Sequence, residues 1–105
     1  MKEDHLYLIQ SDKTGMIKIG RSKNPQRRLK TLQTGNPNQL RLIYVYEGKG
    51  YLESSVHEEL DRWRRKGEWF DYQCVGSIPL YLYDELPFGV LDDWWIRPTK
   101  ITNNF

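Results

Sequence analysis

The feature that most constrains this chain is a pair of short alternating segments near its start, His5 to Gln10 and Met16 to Arg21. They are joined by Ser11-Asp12-Lys13-Thr14-Gly15. The joining residues are turn formers, so the two segments read as strands of one hairpin. Strand side chains alternate between faces. Leu6 and Leu8 therefore share one face of the first strand, and Ile17 and Ile19 share one face of the second. Burying all four together predicts Leu8 beside Ile17 and Leu6 beside Ile19. The same register predicts Tyr7 beside Lys18 on the opposite face, because a slip of one residue would turn one apolar set the wrong way.

A helix is expected next. Asn24 suits the N-cap, Pro25 the first helical position, and Gly35 the place just past the end. Leu29 and Leu32 form its buried stripe. Arg28 lies one turn before Leu32 at the stripe's border, while Arg27 and Lys30 point away. Leu40 to Glu47, rich in apolar, β-branched and tyrosine residues, reads as a third strand that Gly48-Lys49-Gly50 breaks. A second helix is expected from about Tyr51 to Lys66, with Leu52, Val56, Leu60 and Trp63 as its stripe and Gly67 at its end. Glu53 and His57, four apart, lie along one flank of that stripe, and Arg64 falls on the same flank. Glu68 to Asp71 reads as a short strand or extended segment. From Ser77 the residues fit either a third helix to Leu86, capped by Ser77, or a strand carrying Ile78, Leu80 and Leu82. The expected fold is α/β: a small central sheet of about three strands, antiparallel or mixed, flanked by helices.

At 105 residues there is room for one compact domain, expected over residues 1–86, followed by a tail over 87–105 in which Trp94 and Trp95 show no clear period. The net charge of +2 says little by itself, but its distribution says more. Between Lys18 and Lys30 the chain carries Arg21, Lys23, Arg27 and Arg28 and no acidic residue. A lone cysteine, Cys74, excludes a disulfide within the chain and a multi-cysteine zinc site. No apolar run is long enough to cross a bilayer, and Met1 to His5 lack the apolar stretch of a signal peptide. An intracellular, cytoplasmic protein without membrane contact is expected.

Three sets of polar residues border buried stripes: Tyr7 with Lys18, Arg28, and Glu53 with His57. Such borders suit a cleft, held by packing below and open to solvent above. Each has an ordinary explanation when taken singly. An arginine at a stripe edge covers apolar surface with its stem, a glutamate and histidine four apart form a surface pair, and a strand lysine faces solvent.

Together, their order and spacing resemble the GIY-YIG nuclease superfamily. In that family a first strand carries Gly-Ile-Tyr and a second, about ten residues later, carries Tyr-Ile-Gly; here the matching segments are His5-Leu6-Tyr7 and Lys18-Ile19-Gly20. The family's arginine helix is similar to the run from Gly20 to Leu29, whose closing leucine aligns Arg28, not Arg27, with the catalytic position. The match is closest to a phage and fungal branch with Lys-Ile-Gly, a Leu-Gln-Thr stretch, a Glu-x-x-x-His helix and Gly-Glu-Trp-Phe. This chain has Lys18-Ile19-Gly20, Leu32-Gln33-Thr34, Glu53 with His57, and Gly67-Glu68-Trp69-Phe70. The resemblance covers residues 5 to about 72. It departs at His5 and Lys18, and at Leu32, where other branches have a histidine; the C-terminal asparagine of those branches has no identified partner here.

The resemblance implies a metal-dependent endonuclease that hydrolyses DNA phosphodiesters with one divalent ion, magnesium or manganese. Glu53 would be its metal ligand, and Tyr7, Lys18, Arg28, Glu53 and His57 its catalytic residues. Arg21, Lys23, Arg27 and Lys30 are expected to contact DNA. Lys18 would act either on the Tyr7 hydroxyl as a neighbouring cation or on phosphate directly. The alternatives are a non-catalytic nucleic-acid-binding module on the same fold, and an interaction domain that self-associates or docks a protein through Trp94 and Trp95.

Overall fold

A computed structural model describes residues 4–82, and the chain enters it through the expected hairpin. Strand β1 (His5–Ser11) pairs antiparallel with β2 (Ile17–Ser22). The face parity is as predicted, but the register is displaced. Leu8 lies opposite Ile19, Ile9 opposite Lys18 and Tyr7 opposite Gly20. Tyr7 and Lys18 are therefore not the cross-strand neighbours that the apolar pattern predicts. The reason is in the turn. Gly15 takes φ +75°, a left-handed conformation that glycine enters without steric cost, and its N–H bonds Ser11 O at 2.7 Å. This holds Gly15 in the loop and sets Ser11 against Met16, with Ser11 N–H donating to Met16 O at 3.0 Å. A displacement of two residues leaves every side chain on its face, so the apolar pattern cannot distinguish the two registers.

Helix α1 (Pro25–Gln33) begins as expected: Asn24 accepts the Arg27 N–H at 3.0 Å through its side chain, and Pro25 holds the first turn. Gly35, at φ +78°, follows the C-cap Thr34. Strand β3 (Leu40–Tyr46) then pairs with the outer edge of β1. The second helix is much shorter than its apolar stripe suggests. A 3₁₀ turn, Gly50–Leu52, leads into α2 (Glu53–Glu59), and a second 3₁₀ turn, Asp61–Trp63, follows. The stripe itself is used: Val56 and Leu60 are buried, and Leu52 and Trp63 pack against the same core.

The chain then makes one strand where the end of the second helix is expected, and another within the segment that reads as a short strand or extended stretch. β4 (Arg64–Lys66) and β5 (Trp69–Phe70) form a tight hairpin around Gly67 and Glu68. Gly67 has φ +57°, and a positive φ at the first of two central residues is what a type II′ hairpin turn demands. β5 pairs with the free edge of β2. The result corrects the expected fold. The sheet has five antiparallel strands in the order β3-β1-β2-β5-β4, with few helices, rather than about three strands flanked by helices. Through Leu82, neither the helix nor the strand that the residues from Ser77 fit is formed. Asp71 caps a 3₁₀ segment, Tyr72–Ser77, and a 3₁₀ turn follows at Leu80–Leu82. The tail with Trp94 and Trp95 lies outside the described residues. Among the described residues no helix is long and apolar enough to cross a membrane.

Both faces of the sheet are covered. One carries the main core, including Leu6, Leu8, Ile17, Ile19, Val56, Leu60 and Phe70. The other carries a thinner cluster of Tyr7, Ile9 and Leu40 under Leu29 and Leu32 of α1, with Leu42 and Trp69 beside them. Burial of a large apolar side chain contributes ~1.5–3 kcal/mol each, so the first face supplies most of the stabilisation. The second holds Tyr7 beneath α1, while α2, on the first, carries Glu53 and His57.

Candidate active site

Tyr7 is the structural centre of the polar residues. It is 1% exposed, and its ring lies across β2 at Gly20. A Cβ at Gly20 would stand 2.6 Å from Tyr7 Cζ and closer still to its hydroxyl oxygen. The glycine of Lys18-Ile19-Gly20 is thus required because the ring occupies the space a side chain would fill. The Tyr7 hydroxyl accepts a hydrogen bond from Arg28 of α1. Burial raises the Tyr7 pKa above its ordinary value; the Arg28 bond and charge work against this, and the Glu68 and Glu53 charges add to it. In the free protein the phenol therefore keeps its proton at neutral pH. Arg28, one helical turn ahead of Leu32, is the cation that acts on Tyr7.

Lys18 occupies a different position. It lies opposite Ile9 on one side and Trp69 on the other and is 8% exposed. Its ammonium donates to Glu68 Oε1 at 2.8 Å and stands 5.9 Å from the centroid of the Trp69 ring. Glu68 is held by the β4–β5 turn, and its carbonyl oxygen accepts the Ile19 N–H at 3.1 Å.

Glu53 is the first residue of α2 and is half-buried. Burial raises its pKa first and the Glu68 charge second; His57, Arg21 and Lys18 pull the other way. Among the described residues no hydrogen bond or ion pair engages its carboxylate. His57 lies one turn along. Its Nε2 is 2.7 Å from Ile19 O, and a carbonyl only accepts, so Nε2 carries the hydrogen and Nδ1 of the neutral ring is left as an acceptor. Phe70 packs on the imidazole with centroids 5.3 Å apart. Arg64, expected on the flank of Glu53 and His57, instead belongs to β4 and pairs with Asp61 at 2.8 Å.

The donor set fits a magnesium-like ion. Such an ion keeps several waters and takes one or two protein carboxylates. Among the described residues no group of three or more His, Cys, Asp or Glu side chains is arranged around a common centre. A carboxylate that is desolvated and repelled by a second one is nonetheless a place where a cation lowers the free energy.

The structure thus places Tyr7 against Arg28, and puts Glu53 in the field of Lys18, His57, Arg21 and Glu68. Of the residues expected at DNA, Arg21 is ion-paired with Asp4 at 2.8 Å. Lys23, Arg27 and Lys30 are exposed on and before α1. In the sequence Glu68 reads only as the start of a short strand or extended segment. The signal for its placement is Gly67-Glu68 between Lys66 and Trp69, a two-residue hairpin turn that carries the carboxylate back over β2.

A protein-family model, the T5orf172 domain, matches residues 4–86. That domain is phage-associated and related to endonuclease-type folds. Comparison with the curated proteins and with the solved structures gives no significant match.

Proposed function

This chain belongs to the T5orf172 domain family, and on that premise we propose that it is a metal-dependent endonuclease hydrolysing DNA phosphodiester bonds, with chemistry like that of the GIY-YIG nucleases. One observation carries the reading: a helix arginine and a buried strand tyrosine are hydrogen-bonded within the field of a half-buried carboxylate that, among the described residues, makes no hydrogen bond or ion pair. Arg28 presents a planar fork of donors that suits a phosphate and the negative charge added to it on attack. Tyr7 orients the attacking water through its hydroxyl, whose proton stays in place until a charge near it changes. Glu53 would hold the ion, which supplies Lewis-acid polarisation of the phosphate and offsets the carboxylate charge. His57 fixes the first turns of α2 to Ile19 O and so holds Glu53 in position. Lys23, Arg27 and Lys30 contact backbone phosphates, which gives salt-dependent affinity without base preference.

The test is cleavage of supercoiled, linear and branched DNA with magnesium or manganese, a chelator control and the Glu53→Ala protein. Cleavage abolished by the chelator and by Glu53→Ala is expected. Binding without cleavage of any substrate would favour a non-catalytic module instead.

A further inference from the structure

We propose that Glu68 is a positioning residue that holds the Lys18 ammonium as a fixed positive charge of the site, so that Lys18 binds phosphate rather than carrying a proton. The proposal rests on the endonuclease reading above and assigns a part to a residue outside that set.

The argument begins with burial. Only 10% of the Lys18 side chain is exposed, and an ammonium taken that far out of water needs a partner for its charge. Glu68 supplies it at 2.8 Å. The Glu68 side chain is itself 43% exposed, so the pair sits at the boundary between protein and solvent, where a substrate phosphate can approach. The carboxylate is placed by backbone rather than by side-chain packing. Gly67 turns the chain at φ +57°, the Ile19 N–H bonds the Glu68 carbonyl at 3.1 Å, and β5 pairs directly with β2 at Lys18 and Trp69. The Trp69 ring flanks the ammonium from the next residue.

The observed register sets Lys18 diagonal to Tyr7 rather than opposite it, and Arg28 is the cation bonded to the Tyr7 hydroxyl. Lys18 faces Ile9, and the charges acting on the Tyr7 hydroxyl are those of Arg28, Glu68 and Glu53. Lys18 does lie in the field of Glu53. An ammonium that is clamped to one carboxylate and faces a second is arranged to neutralise an incoming anion, not to hand over its own proton.

The experiment is a double-mutant cycle on kcat and KM for DNA cleavage, with Lys18→Gln, Glu68→Gln and the double variant, together with Lys18→Arg and Glu68→Asp. Each Gln variant is expected to lose about tenfold or more in kcat/KM, a factor of ten being 1.4 kcal/mol. The double variant is expected to lose no more than Lys18→Gln alone, because Glu68 acts through Lys18. Lys18→Arg, which keeps the charge and cannot give up a proton, is expected to stay within about tenfold of wild type. Glu68→Asp, which keeps the charge on a shorter arm, should fall between wild type and Glu68→Gln. Additive losses, a Lys18→Arg protein as impaired as Lys18→Gln, or Glu68→Gln cleaving like wild type would each overturn the proposal while leaving the endonuclease reading intact. A wild-type protein that does not cleave overturns both.

Discussion

The two faces of the sheet do different work. The face toward α2 is a continuous apolar core in which Leu6, Leu8, Ile17, Ile19 and Phe70 are fully buried. Among the described residues the apolar cluster toward α1 buries just Tyr7, Ile9 and Leu40, with half-buried leucines above them. One of those three is a tyrosine whose hydroxyl is bonded to an exposed arginine. A thick core on one side allows the other to carry polar groups at their desolvation cost. Changes in the apolar core beneath α2 should act on stability, and changes around Tyr7 should act on chemistry.

Phe70→Ala is the largest effect this contrast predicts, ~3–5 kcal/mol of stability in denaturant unfolding. Leu32→Ala on the α1 side should cost well under half of that, since Leu32 is half-buried; equal losses would break the contrast. Arg28→Ala tests the other side of it. It should raise the barrier to cleavage by ~3 kcal/mol, about two orders of magnitude in rate, while its unfolding midpoint falls far less than that of Phe70→Ala. Gly20→Ala belongs to both sides. The added methyl would overlap the Tyr7 ring, at a cost of ~1–3 kcal/mol, and would displace the hydroxyl from Arg28, so cleavage and stability should fall together. A protein stable but inactive, or active but destabilised, would separate what the structure joins.

The smallest effect has an unusual sign. The Glu53 carboxyl has its pKa raised by burial first and by Glu68 second. The folded state then binds its proton more tightly than the unfolded state. Stability therefore falls as pH rises from the ordinary carboxylate range through the raised value, and the deficit persists above it. Glu53→Gln should unfold at a higher temperature than wild type at neutral pH, and the gain should vanish at acid pH. Magnesium should narrow the gap by stabilising the wild type alone. A Glu53→Gln protein less stable than wild type at pH 7 would mean that the carboxylate has a favourable partner.

Much of this arrangement was legible before the fold was seen, and the failures have specific causes. Asn24, Pro25 and Gly35 mark the limits of α1 because caps are local chemistry. Leu52, Val56, Leu60 and Trp63 identify the buried stripe correctly, but a stripe does not require one continuous helix, and 3₁₀ turns at either end of α2 keep the same residues inward. Alternation gave the faces of β1 and β2 and not their register, since two-residue slips are silent to it. Glu68 to Asp71 read as a short strand or extended segment, but the β4–β5 hairpin is not legible because Arg62 to Lys66 have good helix propensity and hide its first strand. Missing that hairpin also hid Glu68, whose carboxylate reaches Lys18 only through the turn. The site roles of Tyr7, Arg28, Glu53 and His57 came from the resemblance; their proximity is a property of the folded chain.

The hairpin that completes the sheet also has a consequence in time. Lys18 and Glu68 are 50 residues apart in the chain, and β5 sits beside β2 although most of the described chain separates them. During synthesis the strands that carry Tyr7 and Lys18 emerge first, and the carboxylate that clamps the lysine emerges among the last described residues. A nascent or truncated chain ending before Gly67 would hold Lys18 and Glu53 without the carboxylate that clamps the lysine. The site is finished only when β5 docks, so pairing that strand and completing the charge arrangement are a single event.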